Sequence, residues 1–464
     1  MPLIKSISGI RGTIGGKPNE GLTPIDIVKF TSAFGYWLSK RVDNKNPKIV
    51  VGRDARISGE MVSNLVCSSL QGLGIDVIDL GLSTTPTVEM AVPHYEAIGG
   101  IIITASHNPK EWNALKLLNE KGEFINAAEG AEVLEIADNN TIEFATVMKL
   151  GSLTKDDNFG DIHIQKILDL PLVDVEAIKK RKFKVVLDAV NSTGGIFIPQ
   201  LLEKLGVEVK KLFCEPTGKF PHNPEPLPEN LTELISSMKE GSYDVGIVVD
   251  PDVDRLALVS ETGDVFGEEY TLVAVADYVL RNTKGDTVSN MSSTRALRDV
   301  SEKFGQKHHA SAVGEVNVVN LMKEVGAVIG GEGNGGVIYP ELHYGRDSLV
   351  GIALFLSHLA QTGKKVSELR ASYPNYHISK NKIQLTPEID VDKVLSLVEK
   401  KYQNHPINTV DGLKIEFDKE WVHLRKSNTE PIIRIYSESA NHTTAEVLAE
   451  KLITDMKEII RENR

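Results

Sequence analysis

The amino-acid sequence predicts an α/β protein with three similar domains followed by a fourth domain of the α+β class. The chain has 464 residues, and a single hydrophobic core stops growing at about 250 to 300 residues. A strand, a polar loop, an amphipathic helix and a second strand recur three times along the chain. The C-terminal part follows a different order of elements. These three observations together predict several α/β domains.

The three repeats share a design in which each helix ends just before a glycine. Glycine past a helix end supplies the left-handed residue that a C-cap needs. Strand–helix–strand units of this length favour parallel sheets. The repeats span 48–78, 183–209 and, more weakly, 286–305, and their helices end before Gly74, Gly206 and Gly305.

The C-terminal part predicts a mixed domain. We expect a strand at 380–385, a helix from Val391 to about Tyr402, a strand pair at 413–417 and 431–437, and a final helix from Thr444 to about Arg461. The last helix places apolar residues on one face, as amphipathic helices do. The predicted domains are 1–157, 158–256, 257–373 and 374–464.

Composition excludes several classes of protein. The formal charge is −12 and the sequence pI is about 5.6, whereas a nucleic-acid-binding protein carries a basic stripe. Cys67 and Cys214 are the only cysteines and lie far apart in the chain, which predicts neither a disulfide framework nor a cysteine-based metal site. No segment has the apolar character of a signal peptide or a membrane span. We expect a cytoplasmic protein without nucleic-acid or membrane partners.

The strongest local motif is Ile-Ile-Ile-Thr-Ala-Ser-His-Asn-Pro at 101–109. An apolar strand leads into a polar loop here, and open α/β sheets bind ligands at the carboxyl ends of their strands. The motif therefore makes Ser106 a candidate functional residue, with His107 beside it. A turn that uses its polar side chains for local backbone hydrogen bonds is the alternative. Ser106 lies outside any Gly-x-Ser-x-Gly elbow, which disfavours hydrolase chemistry.

A second motif places three carboxylates at alternate positions after an apolar strand. Asp250, Asp252 and Asp254 follow Val245-Gly-Ile-Val-Val, and oxygen ligands of this kind suit Mg²⁺. Glu261 falls at position 12 of an EF-hand that would begin at Asp250. That alternative fails because position 6 is Arg255 where the loop requires glycine, and because the flanks resemble strands. A solvated turn is the other alternative, although three like charges after an apolar strand are costly without a cation.

Two further loops carry polar groups. The run Gly-Gly-Glu-Gly-Asn-Gly-Gly at 330–336 lets backbone approach a ligand closely, and Glu332 and Asn334 are its only functional side chains. The run Arg-Lys-Ser-Asn-Thr-Glu-Pro at 425–431, followed by Arg434, offers guanidinium, hydroxyl and amide groups suited to phosphate. A flexible loop and a surface hairpin turn are the respective alternatives.

Taken together and in this order, the four loops resemble those of the α-D-phosphohexomutase family, over essentially the whole chain. The resemblance implies a heart-shaped fold of four domains around a central cleft. It implies an isomerase that moves phosphate between the 1- and 6-positions of a hexose through a phosphoserine and a hexose 1,6-bisphosphate, with Mg²⁺ as cofactor and hexose phosphates as small-molecule partners.

The resemblance also implies roles for individual residues. Ser106 becomes the phosphoserine and, through its phosphate, a ligand of Mg²⁺ with the three aspartates. Lys116 becomes the candidate general acid/base, which needs an amine pKa lowered by cationic surroundings, and Arg11 is placed near the reacting phosphate. The expected substrate-binding residues are Glu332, Asn334, Arg255, Arg425, Ser427, Asn428, Thr429 and Arg434.

The sequence departs from the family pattern at two loops. Pro251 and Val253 stand where the metal loop commonly has glycines, and Asn334 and Gly336 stand where the sugar loop commonly has serine and histidine. The sugar loop is closest to archaeal-type members, which favours glucosamine phosphate as the substrate. Phosphoglucomutase/phosphomannomutase activity is the alternative within the family. A sugar-phosphate phosphatase and a non-catalytic sugar-phosphate sensor are the alternatives outside it.

Overall fold

The computed structural model describes residues 3–6, 9–42, 46–139, 141–385, 389–426 and 432–462. The chain forms two compact units: Met1–Thr271 with Asn334–Glu368, and Leu272–Gly333 with Leu369–Arg464. Helices and strands alternate through most of the sequence, which confirms the predicted α/β class. Among the described helices none is long and apolar enough to cross a membrane.

The first unit begins with a seven-stranded sheet of order β1-β2-β6-β5-β3-β4-β7. The central pairs β3/β5, β3/β4 and β4/β7 are parallel, and β6 runs antiparallel to both β2 and β5. The first predicted repeat is confirmed, and Gly74 after its helix has φ +78°. The strands are β1 (Ile4–Ser6), β2 (Gly9–Thr13), β3 (Lys48–Arg53), β4 (Asp76–Leu82), β5 (Gly99–Ile103), β6 (Trp112–Leu118) and β7 (Leu153–Lys155). The helices are α1 (Pro24–Arg41), α2 (Gly59–Gly72), α3 (Thr85–His94) and α4 (Ala127–Asn139).

A second sheet of the first unit has four strands in the order β11-β10-β8-β9. β8 pairs in parallel with β9 and β10, while β10 and β11 are antiparallel. Five consecutive buried residues make up β10, as expected for a strand covered on both faces. The elements are α5 (Phe159–Leu168), α6 (Val175–Arg181), β8 (Lys184–Asp188), α7 (Gly194–Lys204), β9 (Glu208–Leu212), α8 (Thr232–Glu240), β10 (Val245–Val249) and β11 (Leu256–Ser260).

The third repeat is confirmed as a parallel arrangement in the second unit. β12 pairs in parallel with both β13 and β14, and the helix of the repeat begins at Ala296. The elements in chain order are α9 (Glu268–Asn282), β12 (Thr287–Asn290), α10 (Ala296–Lys303), β13 (His308–Ser311), α11 (Glu315–Val325) and β14 (Ile329–Glu332). The chain then returns to the first unit with β15 (Gly336–Ile338) and α12 (Ser348–Thr362), and α13 (Val366–Ala371) follows.

The C-terminal part of the second unit is a five-stranded antiparallel sheet of order β16-β20-β19-β18-β17. The predicted pairing of 413–417 with 431–437 is wrong, because β19 lies between those two strands. Trp421–Leu424 are all buried, yet Lys419, Glu420 and His423 obscure the apolar pattern of this strand. The elements are β16 (His377–Gln384), α14 (Val391–Lys401), β17 (Ile407–Asn408), β18 (Leu413–Glu416), β19 (Trp421–Lys426), β20 (Ile432–Ser439) and α15 (His442–Glu462).

Candidate active site

Ser106 lies in the loop that follows β5, with its hydroxyl directed at a carboxylate. Its Oγ donates a hydrogen bond of 2.8 Å to Oδ2 of Asp250, and its backbone N–H donates to Oγ1 of Thr104 at 2.9 Å. The backbone φ of Ser106 is +48°, a left-handed conformation that is uncommon outside glycine. The loop therefore holds this serine in a specific orientation, and the predicted neighbourhood of Ser106 and the aspartates is present.

A buried arginine fixes the backbone of the Ser106 loop. Arg56 is 1% exposed, and its Nη2 donates to the carbonyl oxygens of Ser106 (2.5 Å) and Asn108 (2.7 Å). Its Nη1 donates to the carbonyl oxygens of Pro109 (2.6 Å) and Trp112 (3.1 Å). Nε of Arg56 donates to Oδ2 of Asp54 at 3.0 Å. One planar guanidinium thus satisfies four carbonyls around the serine, which the point charge of a lysine does not do.

The metal loop follows β10 and presents three fully buried carboxylates. Asp250, Asp252 and Asp254 are each 0% exposed, and a potential ligand atom from each lies within 4.8 Å of the others. Val253 between them has φ +64°, which is strained for a β-branched residue. Its carbonyl accepts a hydrogen bond from the N–H of Ser348 at 3.1 Å. The substitution of valine for the common glycine thus keeps a left-handed backbone that surrounding contacts hold in place.

The donor set of the triad fits a hard cation. Oδ1 of Asp252 and Oδ1 of Asp254 are buried and accept no hydrogen bond from the part of the chain that the structure describes. Buried polar atoms almost always have a partner, and unpaired ones indicate an ion or water. Burial, and then the charges of Asp254 and Asp252, raise the pKa of Asp250 well above its ordinary value. A divalent cation relieves both the repulsion and the unpaired oxygens.

Lys116 on β6 lies against two carboxylates of the triad, with the cation Arg346 on the far side of Asp254. Its Nζ lies 2.7 Å from Oδ2 of Asp252 and 3.6 Å from Oδ2 of Asp254. Burial lowers the pKa of Lys116, but the two aspartates outweigh it and hold that pKa above its ordinary value. The expectation of a lowered amine pKa is therefore wrong for the site without a cation, because the side chain reaches into the acidic triad.

Arg346 and Thr85 complete the surroundings of the triad. Nη2 of Arg346 lies 2.5 Å from Oδ2 of Asp254, and Oγ1 of Thr85, at the start of α3, donates to Oδ2 of Asp252 at 2.6 Å. Each of these two carboxylates therefore has one oxygen paired and one left for a ligand. The result is a site in which the sequence-predicted serine, lysine and aspartates come together.

His107 remains neutral near neutral pH. Burial, followed by the charge of Arg255, lowers the pKa of His107 to about 3. Nδ1 of His107 is 3.3 Å from Oγ of Ser106. A neutral imidazole at this distance can form a hydrogen bond with the hydroxyl of Ser106, but it provides no positive charge to stabilise a phosphate.

Two predicted cations have less defined roles. Arg11 lies on β2, opposite Ala114 of β6, the strand that carries Lys116. Nη1 of Arg255 lies 3.5 Å from Oε1 of Glu225, and its backbone N–H donates to Oδ1 of Asp250 at 3.1 Å. Arg255 therefore helps orient the first aspartate of the triad through its backbone, and its role toward substrate stays a prediction.

The two side chains of the glycine-rich loop have separate partners. Glu332, at the end of β14 in the second unit, accepts hydrogen bonds from Nδ2 of Asn290 at 2.8 Å and from the N–H of Gly314 at 3.2 Å. Asn334, in the first unit, accepts the N–H of Gly336 at 3.2 Å. The roles of Glu332 and Asn334 toward a sugar stay predictions.

Gly336 is explained by the side chain that packs against it. A Cβ at this position would lie 2.4 Å from Cδ of Arg346. The stem of Arg346 therefore occupies the space that a larger residue at 336 would need. The family pattern commonly has a histidine at this position. In this chain the position is Gly336, and Arg346, which contacts Asp254, packs against it.

The predicted phosphate loop is flanked by a row of basic side chains in the second unit. Arg425 on β19 is directly opposite Arg434 on β20, and Arg434 is opposite Lys382 on β16. Residues in register across neighbouring strands share one face of the sheet. Nε of Arg425 lies 2.8 Å from Oδ2 of Asp411. Like charges in register are destabilising unless an anion is present, so this row supports a phosphate site. Ser427, Asn428 and Thr429 lie outside the described residues.

Sequence reasoning missed Arg56, Thr85, Arg346 and Lys382. The run Gly-Arg-Asp-Ala-Arg-Ile-Ser at 52–58 is a polar loop after β3, which pairs directly with β5. That position at the carboxyl edge of the sheet is a signal that points to Arg56. The same signal points to Thr85, in the run Ser-Thr-Thr-Pro at 83–86 after β4, whereas Arg346 and Lys382 carry no local pattern.

Comparisons with known proteins agree with this site. Models of the four phosphoglucomutase/phosphomannomutase domains match in chain order: α/β/α domains I, II and III at residues 4–143, 161–263 and 267–376, and the C-terminal domain at 382–454. These matches are consistent with the three-plus-one architecture that the repeats predicted.

Individual relatives cover nearly the whole chain. A phosphoglucomutase/phosphomannomutase of Thermococcus kodakarensis is 39% identical over 97% of this chain and 99% of its own. A probable phosphoglucosamine mutase of Methanopyrus kandleri is 32% identical over 98% of each chain. A crystal structure of a phosphoglucomutase/phosphomannomutase family protein from Burkholderia thailandensis has a TM-score of 0.85 at 26% identity, over 98% of this chain and 97% of that one. The chain therefore belongs to the phosphoglucomutase/phosphomannomutase family of α-D-phosphohexomutases and is a phosphohexomutase.

Proposed function

We propose that the enzyme interconverts the 1- and 6-phosphates of a hexosamine, with glucosamine phosphate as preferred substrate and Ser106 as the phosphate carrier. The observation that carries the proposal is the hydrogen bond from Oγ of Ser106 to Asp250, within a triad that has two further oxygens free for a cation. A serine beside a cation-binding triad is suited to carry a phosphoryl group.

The reaction proceeds in two transfers. In the first, the bond between phosphorus and Oγ of phosphorylated Ser106 breaks, and a bond forms from phosphorus to the free hydroxyl of a hexose monophosphate. The hydroxyl proton passes to Nζ of Lys116, and Oγ of Ser106 leaves as an oxyanion that stays unprotonated until it attacks the bisphosphate. The product is a hexose 1,6-bisphosphate, which turns end for end and returns its other phosphate to Ser106. Lys116 then returns the proton to the hydroxyl that is released.

Asp250, Asp252 and Asp254 would hold Mg²⁺, which offsets charge on the transferring phosphoryl group. Lys116 must be neutral to accept a proton, and the charges of Asp252 and Asp254 oppose this. Neutralising those carboxylates removes the cause of the raised pKa. With its neighbouring carboxylates neutralised in this way, Lys116 would be able to act as the base.

Arg425, Arg434 and Lys382 support a site for the phosphate that is not reacting. Their register on neighbouring strands gives a broad cationic surface, and a broad surface suits a phosphate that arrives from either end of the sugar. Ser427, Asn428 and Thr429 stay predicted contributors to it. Glu332 and Asn334 would contact the sugar hydroxyls.

The preference for glucosamine phosphate depends on the sugar loop. Asn334 offers both a donor and an acceptor, and Gly336 leaves space that the stem of Arg346 occupies. The Methanopyrus relative is named a probable phosphoglucosamine mutase, whereas the Thermococcus relative is named for glucose and mannose phosphates. Competition among glucosamine, glucose and mannose 1-phosphates in one assay, ranked by kcat/KM, tests the preference. A higher value for glucose or mannose phosphate would refute it.

The carrier role of Ser106 is tested by intact-mass measurement. Incubation with glucose 1,6-bisphosphate should add one phosphate to the wild-type chain and to the control Ser39→Ala, but none to Ser106→Ala. Ser39 is exposed, and its hydroxyl donates to the carbonyl of Tyr36. Retained phosphorylation or mutase activity in Ser106→Ala would reject Ser106 as the carrier.

A sugar-phosphate phosphatase is separated from a mutase by its products. The protein is incubated with glucose 1-phosphate and a trace of glucose 1,6-bisphosphate. Formation of glucose 6-phosphate is expected, because the basic row provides for a second phosphate that a phosphatase does not need. Free phosphate without glucose 6-phosphate would overturn the mutase assignment.

A further inference from the structure

A second cluster of metal-ligand side chains lies in the first unit, and none of its members belongs to the candidate active site. Nε2 of His163, on α5, lies 2.9 Å from Oδ2 of Asp347, the N-cap of α12. Nε2 of His343 lies 3.4 Å from the same oxygen. One potential ligand atom from each residue lies within 4.8 Å of the other two. We propose that these three residues form a binding site for a divalent transition-metal ion of the zinc type.

The outer atoms of the three side chains are held as they are around bound metals. Nδ1 of His163 is 2.9 Å from Oγ1 of Thr87, and Nδ1 of His343 is 3.5 Å from Oε2 of Glu89. Oδ1 of Asp347 accepts two backbone N–H groups at the start of α12, at 2.8 and 3.4 Å. Metal-binding imidazoles characteristically donate their second N–H to such a partner, which fixes the ring and its tautomer. Both Nε2 atoms and Oδ2 are thereby directed at one another.

Two carboxylates face the ring of His343. Its Nδ1 lies 3.5 Å from Oε2 of Glu89, and its Nε2 lies 3.4 Å from Oδ2 of Asp347. Buried carboxylates are costly unless positive charge offsets them, so a cation between the imidazoles and Asp347 would be stabilised here. The side chains of His163 and Asp347 are fully buried, and that of Glu89 is 2% exposed.

The distances are close to those of a zinc site. Bonds of 2.0 to 2.2 Å in a tetrahedron place neighbouring ligand atoms about 3.3 to 3.6 Å apart. The separation of 3.4 Å from Oδ2 to Nε2 of His343 lies in that range, and the separation of 2.9 Å to Nε2 of His163 is about 0.4 Å below its lower end. Three protein ligands leave a fourth position for water. The side chain of His343 is 13% exposed, which gives an ion a route into the cluster.

The ligand chemistry distinguishes this cluster from the aspartate triad. Imidazole nitrogens suit zinc, nickel, copper and iron, whereas an all-oxygen set suits magnesium. The two sites should therefore differ in the ion that they select.

The cluster also connects segments that reach the active site. The segment that holds His343 and Asp347 contains Arg346, which contacts Asp254. Gly345 in this segment packs so tightly that a Cβ there would lie 1.8 Å from Oε2 of Glu89. An ion at the cluster would tie α5 to this segment and stabilise the position of Arg346. The proposed role is structural.

Cobalt binding to the full-length chain tests the proposal. Co²⁺ is titrated into chelator-treated protein in excess Mg²⁺, and visible absorption, stoichiometry by elemental analysis and the melting temperature are followed. The wild type should bind about one Co²⁺ that Zn²⁺ displaces and Mg²⁺ does not, with a rise in melting temperature. His343→Gln should weaken binding at least about tenfold. The matched control His222→Gln, which alters another His–Asp pair at 3.0 Å, should bind as the wild type does.

Two results would overturn the proposal. Equal Co²⁺ binding and equal melting-temperature shifts in the wild type and His343→Gln would show that the ion does not bind at this cluster. Loss of the Co²⁺ signal in Asp252→Asn but not in His343→Gln would assign the ion to the triad. Because His343 is partly exposed, its variant should fold, and His163→Gln provides a second, independent variant.

Discussion

Replacement of Arg56 by lysine tests whether this residue positions the phosphate carrier. This substitution keeps a positive charge beside Asp54 but removes the planar guanidinium group of the arginine. Arg56 donates five hydrogen bonds, four to carbonyls of the Ser106 loop and one to Asp54, whereas a lysine has three donors. At least two buried acceptors then lose their partner. Each costs about 1 to 3 kcal/mol, so destabilisation of about 2 to 6 kcal/mol is expected.

The catalytic effect of Arg56→Lys should exceed what stability alone explains. A displacement of about 1 Å at a reacting group can lower a rate by about a hundredfold, and Arg56 directly holds the carbonyl of Ser106. We expect kcat to fall by about that factor while KM for the hexose phosphate changes little. The assay is coupled mutase turnover at a temperature well below the melting transition of the variant, monitored by circular dichroism.

The control for this experiment is Arg181→Lys, on an exposed arginine of α6 whose Nη2 lies 3.4 Å from the carbonyl oxygen of Gly363. It should leave kcat and KM at wild-type values. A folded Arg56→Lys variant with wild-type kcat would refute the positioning role. A rise in KM with kcat unchanged would do the same, because it would indicate substrate binding instead.

Three further outcomes are expected. Lys116→Gln should lower kcat by about 10² to 10⁴-fold, measured as turnover and as the rate at which phosphorylated Ser106 transfers its phosphate to substrate. If intact-mass measurement showed that this variant is no longer phosphorylated at all, a role confined to proton transfer would be contradicted. Arg434→Gln should raise KM for the hexose phosphate with a smaller change in kcat, and Lys382→Gln should have the same effect more weakly. The control Lys400→Gln, at an exposed lysine, should leave KM unchanged. An unchanged KM in both Arg434→Gln and Lys382→Gln would argue against the basic row as a phosphate site. Burial lowers the pKa of His222, but the hydrogen bond and charge of Asp188 outweigh burial and raise that pKa. The His222–Asp188 pair therefore stabilises the fold below the ordinary histidine pKa of about 6.5 and loses this contribution as pH rises through the folded-state pKa. The melting temperature of His222→Gln should differ from that of the wild type more at pH 6 than at pH 9, and a difference that does not change with pH would contradict this role of the pair.

The local pattern of the sequence was sufficient to find the loops that meet in the candidate active site. Ser106 and the three aspartates each follow an apolar strand, and β5 and β10 are buried at every position. Polar side chains directly after such strands lie at the edge of a sheet, where ligands bind. The fold class followed from the same regularity, because parallel strand–helix–strand units are local in the chain. The proposed domain boundaries stay predictions.

Only the tertiary structure decided which charges surround the functional groups. Lys116 and Asp252 are 136 residues apart in sequence, and no local pattern predicts that this lysine contacts the carboxylates of the triad. Arg56 reaches a loop some fifty residues away, and β19 enters its sheet between two strands that sequence alone had paired. His163 and Asp347 are 184 residues apart. Strand and helix patterns report burial along one element, whereas hydrogen bonds and charge pairs depend on where separate elements meet, and that is fixed only by packing.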